Sequence, residues 1–356
     1  MILNRLRVEN VRKIATADLT LVPAANVFVG PNGSGKTTLL ESLFLLSGGR
    51  SFRTTRASDI IRHGQSSLTV VGELTSGTKT HTLGIEKTAK TTRLRLNNEN
   101  VATASATVRL LPMLVINSES FKLLEGGPSN RRDLLDRVLF HVEPDYFDHL
   151  RRFYQILKQR NASIRNDVPT KEVTLWDKPL TETVDKIDIH RSGLVSTLNE
   201  AIARIGLTQD IGNVELRYEP GWKRGHEFAE ALQGSLDRDR FLGTTTVGPH
   251  RAEVKVIMDG APAKTKASRG QTKLIIVGLI AAMEEVIATA AGKAPLLLVD
   301  DLASELDSRA KLKAIQLLTR VKTQAFFTAI EYNMLSDLFS SPAKVFHVEQ
   351  GQIVAD

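Results

Sequence analysis

The stretch "GPNGSGKT", Gly30–Thr37, constrains this chain more than any other. It fits the pattern G-x-x-x-x-G-K-[ST], follows the apolar run Val27–Val29 and precedes the apolar segment "TTLLESLFLL". The local order is therefore strand, Gly-rich turn, helix. Such a turn aims backbone N–H groups inward, and the helix start adds the positive end of its dipole, so the loop is built to hold phosphates. Gly30, Pro31, Asn32, Gly33, Ser34 and Gly35 form the loop, and Thr38 extends the same set into the helix. Lys36 is placed to reach β- and γ-phosphates, and the Thr37 hydroxyl to ligate Mg²⁺. ATP with Mg²⁺ is the expected ligand pair.

Far downstream, "PLLLVDD" (Pro295–Asp301) is an apolar strand that stops at two aspartates. In ATPases with this kind of loop, a strand-end carboxylate such as Asp300 holds the Mg²⁺ through water; a turn-capping role is the plainer alternative. Asp301 stands where a water-positioning residue belongs. It is one methylene shorter than a glutamate, and misplacement by about 1 Å costs on the order of a hundredfold in rate. Lys36 and Asp301 are thus the catalytic candidates, in a slow hydrolase rather than a fast motor, with a capping role for Asp301 left open. Between loop and strand, "ASRGQTK" (Ala267–Lys273) opens a long apolar segment. Ser268 and the N–H groups near Gly270 suit a γ-phosphate at a helix start, or Ser268 is an ordinary cap.

With 42 % hydrophobic and 24 % charged residues the composition is that of a soluble globular protein. The absence of cysteine excludes disulfides and thiolate metal sites. The N-terminal stretch carries charges throughout, against a signal peptide. The longest greasy stretch, Leu274–Met283, is too short to span a bilayer, which takes about 20 residues, so a cytoplasmic protein with no membrane partner is expected. Alternating segments predict two or three N-terminal strands and, from Ser67 to Ile116, a small antiparallel β lobe that includes "LPMLVIN". Residues 118–242 read as helical. Phe147, Leu150, Phe153, Tyr154 and Leu157 share one face of a helix with Pro144 at its first position. A second face runs from Val184 through Ile187, Leu194, Val195, Leu198 and Ile202, ending at Gly206. The fold class is α/β: a head formed from residues 1–117 and 243–356, with residues 118–242 inserted as a helical arm domain.

Two short motifs extend this reading by resemblance. Ser268, Arg269, Gly270 and Gln271 resemble the signature motif of ABC-type P-loop ATPases, and "SELD", with Ser304 and Asp307, resembles their D-loop. In that class the signature faces the ATP of a partner subunit, which implies an ATP-dependent homodimer. The segment Thr328–Glu331 lacks the switch histidine of transport ATPases, and the arm is longer than a transporter subunit needs. The whole chain resembles the RecF-type DNA replication and repair family. The motifs that carry the resemblance are "LSGGRSFR" (Leu46–Arg53), "GGPSNRRDLLD" (Gly126–Asp136), "YQILKQRN" (Tyr154–Asn161), "LWDKPL" (Leu175–Leu180), "GPHR" (Gly248–Arg251) and "LLVDDLASELD". After "GPHR" the chain has Ala252–Glu253 where the family usually has acids. The resemblance implies an ABC-type ATPase head with a helical lobe, binding to DNA at junctions of single and double strand, and cooperation with RecR and RecO in loading RecA. An SMC-like chromosome-associated head is the alternative, disfavoured by an arm without long heptads; a transporter subunit is weaker still, and a nuclease would need a carboxylate cluster outside the ATP site.

A net charge of +7 suits a polyanionic partner. Between Arg50 and Arg95, nine cations stand against three acids. Arg50, Arg53, Arg56, Arg62, Lys79, Lys87, Arg93 and Arg95 are the DNA-binding candidates, provided they share a face; strand-edge charges that deter aggregation are the alternative. Phe52 is the one aromatic there, so duplex backbone contact fits better than base stacking. Arg131 and Arg132 read equally as phosphate or partner ligands and as first-turn residues of a helix. His250 and Arg251 read equally as a turn and as an interface.

Overall fold

The computed structural model describes residues 1–207, 211–302, 306, 308–336, 339 and 343–355. The chain divides into two compact units, one of residues 1–120 with 287–356 and one of residues 121–286.

The first unit holds two six-stranded sheets. Strands β1 (Ile2–Val11), β2 (Ile14–Thr20), β4 (Ser67–Ser76), β5 (Lys79–Thr88), β6 (Thr92–Leu96) and β7 (Glu99–Asn100) make an antiparallel sheet in the order β2–β1–β4–β5–β6–β7. The other combines β3 (Ala25–Val29), β8 (Met113–Ile116), β12 (Leu296–Val299), β13 (Ala325–Ala329), β14 (Lys344–Glu349) and β15 (Gln352–Ala355) in the order β15–β14–β3–β13–β12–β8. All its pairings but β14–β15 are parallel. Parallel strands covered on both faces read as unbroken apolar runs, and β3, β12 and β13 are buried at every position. Helix α1 (Lys36–Leu46) buries Leu39, Leu40 and Leu43 in the same apolar cluster as Leu3 and Leu6 of β1 and Phe28 of β3. Gln324 joins the two sheets: its amide accepts from Leu3 N at 2.8 Å and donates to Leu3 O and Val22 O, both at 2.8 Å.

Strand β8 corrects the sequence reading, which placed "LPMLVIN" in the antiparallel lobe. It is the edge of the parallel sheet, in register with β12 from Leu296↔Met113 to Val299↔Ile116. Its alternation fits either sheet, and the pairing partner lies too far along the chain to leave a local signal.

The second unit packs α2 (Pro128–Val142), α3 (Tyr146–Arg165) and α4 (Asp177–Arg204) with a three-stranded sheet of β9 (Val214–Glu219), β10 (Glu253–Met258) and β11 (Ala261–Pro262). Strand β9 lies in the stretch expected to be helical. It pairs with β10 from Glu253↔Glu219 to Met258↔Val214, which groups β10 with the helices rather than with a head beginning at residue 243. The expected face of α4 is buried from Val184 to Ile202, and Gly206 follows with φ 71°. On α3, Leu150, Phe153 and Leu157 are buried, but Phe147 and Tyr154 are 37 % and 47 % exposed. The helix starts at Tyr146, leaving Pro144 outside it.

Buried arginines organise this unit. Arg160 of α3 donates to Asp239 (2.8 Å), Thr245 (2.8 Å) and Asp177 (3.1 Å). Arg191 of α4 reaches Asp136, Tyr146 and the carbonyl of Pro249 at 2.8–3.0 Å. A buried guanidinium is costly unless carboxylates, hydroxyls and carbonyls meet its donors; those of Arg191 are met, whereas Nη2 of Arg160 is buried with no partner among the described residues. Arg131 forks onto Glu253 with two bonds of 2.8 Å, and Arg132 donates to Ala252 O at 2.7 Å. Both cations, which read equally as phosphate or partner ligands and as first-turn residues, sit near the start of α2 and bond within the unit.

Helix α5 (Arg269–Ala291) is 23 residues long, so the apolar segment continues well past Leu274–Met283. Its best window has a mean hydropathy of 2.0 and is long and apolar enough to cross a membrane; 67 % of it is buried within the protein, as in a core helix.

The imidazole of His250 donates through Nε2 to the carbonyl of Thr245 at 2.9 Å. Burial, with Arg251 and Arg132 nearby, pushes its pKa down from 6.5 to about 4, against the opposing pull of that carbonyl. The unfolded chain takes up a proton near pH 6.5 and the folded chain does not until about pH 4. Stability from this group is therefore complete above pH 6.5 and lost as pH falls to 4, by about 3 kcal/mol. His250→Gln should flatten the fall in unfolding free energy across that window. A fall as steep as in the native chain would contradict it.

Candidate nucleotide site

The parallel strands deliver three segments to one edge of their sheet, where ligands of such sheets bind. Beyond β3 comes the Gly-rich loop, beyond β12 Asp300 and Asp301, and Thr328 lies near the end of β13. The registers Val29↔Ala329 and Val299↔Phe327 bring these ends side by side.

Gly30 has φ 152°, and a Cβ there would meet Val348 O at 2.2 Å. Gly35 takes φ 125° as the residue before α1, whose first turn has no side-chain cap and no acid. The uncapped N–H groups and the helix dipole together favour an anion. Lys36 folds back, its Nζ donating to Gly30 O at 2.6 Å and Pro31 O at 3.0 Å. Burial lowers its pKa, opposed by Asp301 and Asp300. The hydroxyl of Ser34 is buried and has no hydrogen-bond partner among the described residues. Buried hydroxyls are normally satisfied, so the loop is shaped for an acceptor such as phosphate oxygen.

Thr37 donates from Oγ1 towards both oxygens of Asp300, at 2.9 and 3.1 Å. Thr328 Oγ1 donates to Asp300 Oδ1 at 2.8 Å and accepts the backbone N–H of Asp301 at 2.8 Å. Burial raises the pKa of Asp300, while the hydrogen bonds from Thr328 and Thr37 oppose it. A hydroxyl beside a carboxylate is a hard oxygen pair of the kind Mg²⁺ takes together with phosphate oxygens. With a hydroxyl and a carboxylate only 2.9 Å apart at the loop, Thr37 and Asp300 fit a metal that takes its other ligands from a bound phosphate and water. Asp301 has φ 51°, a left-handed conformation that costs energy outside glycine and recurs at functional sites.

A cleft of about 710 Å³ opens beside the loop, lined by Asn32 and Ser34 together with Arg12, Lys13, Arg62, His63 and Glu349. Arg12 is fixed by Glu41, a buried residue of α1, with one bond at 2.9 Å and a second at 2.5 Å. Sequence patterns missed Arg12, Lys13, Glu41 and Thr328, because each acts through a partner distant along the chain. Lys13, whose Nζ donates to Gly33 O at 3.1 Å, had only its charge as a signal.

The expected DNA-binding cations do not all share one face of the β lobe. Arg62 donates to Lys13 O at 3.0 Å in the cleft, and Arg53 lies 3.9 Å from Glu41. Lys87 donates to Gly49 O and Thr92 Oγ1, on the face of β5 that carries Leu83 and Ile85. Arg93 and Arg95 alternate with Leu94 and Leu96 and so point to the opposite face. In the second unit Ser268 and Gln271 cap each other: Ser268 N–H donates to Gln271 Oε1 at 2.9 Å and Gln271 N–H to Ser268 Oγ at 3.3 Å. This capping box leaves Ser268, Arg269 and Gly270 exposed at the start of α5. Ser304 and Asp307 lie outside the described residues.

A model of the RecF/RecN/SMC N-terminal domain family matches residues 2–354. The chain is 37 % identical to the DNA replication and repair protein RecF of Thioalkalivibrio sulfidiphilus, over 99 % of both chains. It is similar in fold to the solved recombination mediator protein RecF-ATP of the RecFOR pathway, with a TM-score of 0.87 at 24 % identity over 100 % of this chain and 99 % of that one. The likeness to an SMC head bound to the C-winged helix domain of ScpA is looser, with a TM-score of 0.58 at 15 % identity over 100 % and 98 % of the two chains.

Gly30→Ala should cost about 2 kcal/mol or more of stability, since the added methyl meets backbone at a φ that L residues rarely adopt. An unfolding midpoint equal to the native one would show that the loop is not held as described.

Proposed function

The chain belongs to the RecF family of DNA replication and repair proteins, and from that premise we propose that it is an ATP-switched DNA-binding protein and a weak ATPase. The observation that carries this reading is the joining of the Gly-rich loop to the strand-end carboxylate through Thr37 and Asp300. ATP seats its phosphates in the loop Gly30–Thr38, on the N–H groups that follow Pro31, with Lys36 turning from the loop carbonyls to the β- and γ-phosphates; Pro31 has no N–H, and that of Gly30 donates to Ala329 O and Ile330 O. The cleft beside the loop takes the rest of the nucleotide. Thr37 and Asp300 hold Mg²⁺, which when bound neutralises phosphate charge.

Asp301 positions the attacking water. Its left-handed backbone and its N–H bond to Thr328 fix where the carboxylate starts, and its short side chain suits slow turnover. Ser268, Arg269, Gly270 and Gln271 complete the site of a partner subunit, with Ser304 and Asp307 at the same interface. One loop and one signature per chain then demand a homodimer with two ATPs. DNA, at duplex or single/double-strand junctions, engages the joined form, which acts with RecR and RecO in the cytoplasm to load RecA. Hydrolysis resets it.

Mass in solution and affinity for gapped duplex, each with and without ATP, test the switch. In the native chain ATP should raise both, and Lys36→Arg should abolish the response. Asp301→Asn keeps the shape and tolerates the same backbone angle, so it should trap the ATP-bound dimer with turnover reduced about a hundredfold. A native chain whose assembly and DNA affinity ignore ATP would refute the proposal.

A further inference from the structure

The second unit has a cavity of its own, about 470 Å³, walled by Arg217, Tyr218, Trp222, Arg224 and Arg251 together with Glu219 and Glu253. That volume suits a small ligand. Both acids are already neutralised: Glu219 by Lys255 at 2.6 Å and Glu253 by Arg131. Arg217 bonds to Glu215 at 2.8 Å, and Arg224 donates to the carbonyl of Tyr218. Arg251 is exposed, and its guanidinium makes no hydrogen bond or ion pair among the described residues, its backbone N–H alone donating to Gly248 O at 2.8 Å. Arg224 keeps its charge but has spent a donor on the Tyr218 carbonyl, whereas Arg251 offers both its charge and its whole donor fork.

Trp222 contributes a ring. Its indole N–H is spent on His226 O at 3.2 Å, and it packs on the buried Phe228 with centroids 5.1 Å apart. What remains for a ligand is aromatic surface. The two walls are braced against each other. Gly221 has φ 98°, and a Cβ there would come within 2.2 Å of Gly248 O. Gly248 N–H donates to Gly221 O at 3.2 Å. Arg191 holds the carbonyl of Pro249 and Arg132 that of Ala252, so the turn bearing Arg251 is clamped from both sides. The backbone that carries the ring and the free guanidinium is thus fixed, and no contact within the unit uses either side chain fully.

We propose that this pocket binds a nucleotide, its base against Trp222 and its phosphate on Arg251, and that the source is a single DNA strand. A flat π surface beside a guanidinium matches the combination by which single strands are held, stacking for bases and cations for the backbone. The inference rests on the DNA-binding reading above and gives that reading a single-strand subsite apart from the nucleotide loop.

The chain has two tryptophans, so Trp176→Phe leaves Trp222 as its only indole reporter. In this full-length variant, with ATP saturating, a thymidine oligonucleotide should quench Trp222 fluorescence saturably. Arg251→Ala should weaken that binding about tenfold or more, while a native unfolding midpoint and intact ATP-dependent dimerisation show the variant is folded. Free dTMP tests the source: weak quenching supports the strand, and quenching as tight as the strand's keeps the nucleotide site but overturns the strand as its ligand. An acidic peptide that displaces the oligonucleotide, no quenching while the strand is bound, or unchanged affinity in Arg251→Ala overturns the site. If gapped-duplex binding persists in those cases, this inference fails alone. Absence of binding to any DNA would take the proposed function with it.

Discussion

The pair of hydrogen bonds from Thr37 to Asp300 spans 263 positions of sequence, and the candidate site depends on it. Each partner is fixed by its own strand, β3 through the Gly-rich loop and β12 through its carboxyl end. Strand β13 lies between them, and its Thr328 holds Asp300 and the N–H of Asp301 at once. Parallel pairing sets which residues end level with one another, so a slip in register would separate the hydroxyl from the carboxylate. The fully buried strands are therefore what aligns the chemistry as well as what fills the core.

Arginine plays a different part in each unit. In the first, Arg12 is anchored by Glu41 and Arg62 by a backbone carbonyl, so cations close to the Gly-rich loop are held by neighbours. In the second, Arg160 and Arg191 lie in the interior and bind carboxylates, hydroxyls and carbonyls from several elements. Such a network costs desolvation and returns it only in one arrangement, so it favours a single packing of α3, α4 and the turn after Gly248. That rigidity is inherited by the pocket of Trp222 and Arg251.

What the sequence disclosed follows from how local each signal is. The Gly-rich loop was legible because turn, strand and helix are contiguous, and β12 because a buried parallel strand is an unbroken apolar run. The stop of α4 before Gly206 was legible for the same reason. Strand β8 was misplaced and β9 missed because a short alternating segment does not name its partner. Charge is the least local signal of all. Nine cations between Arg50 and Arg95 could serve DNA only if they shared a face, yet strand alternation sends Arg93 and Arg95 one way and Lys87 the other, while Arg53 and Arg62 turn towards Glu41 and the Gly-rich loop. Thr328 carried no pattern: its importance comes from lying one strand away from two aspartates.

The central claim, that Thr37 and Asp300 act together on one nucleotide-bound metal, has a direct measurement. ATP affinity is titrated with Mg²⁺ present and with the metal chelated, for the native chain and for Asp300→Asn. The account predicts that Mg²⁺ tightens ATP binding in the native chain and that the gain largely vanishes in Asp300→Asn, with metal-free affinity retained. An equal gain from Mg²⁺ in both proteins would contradict it.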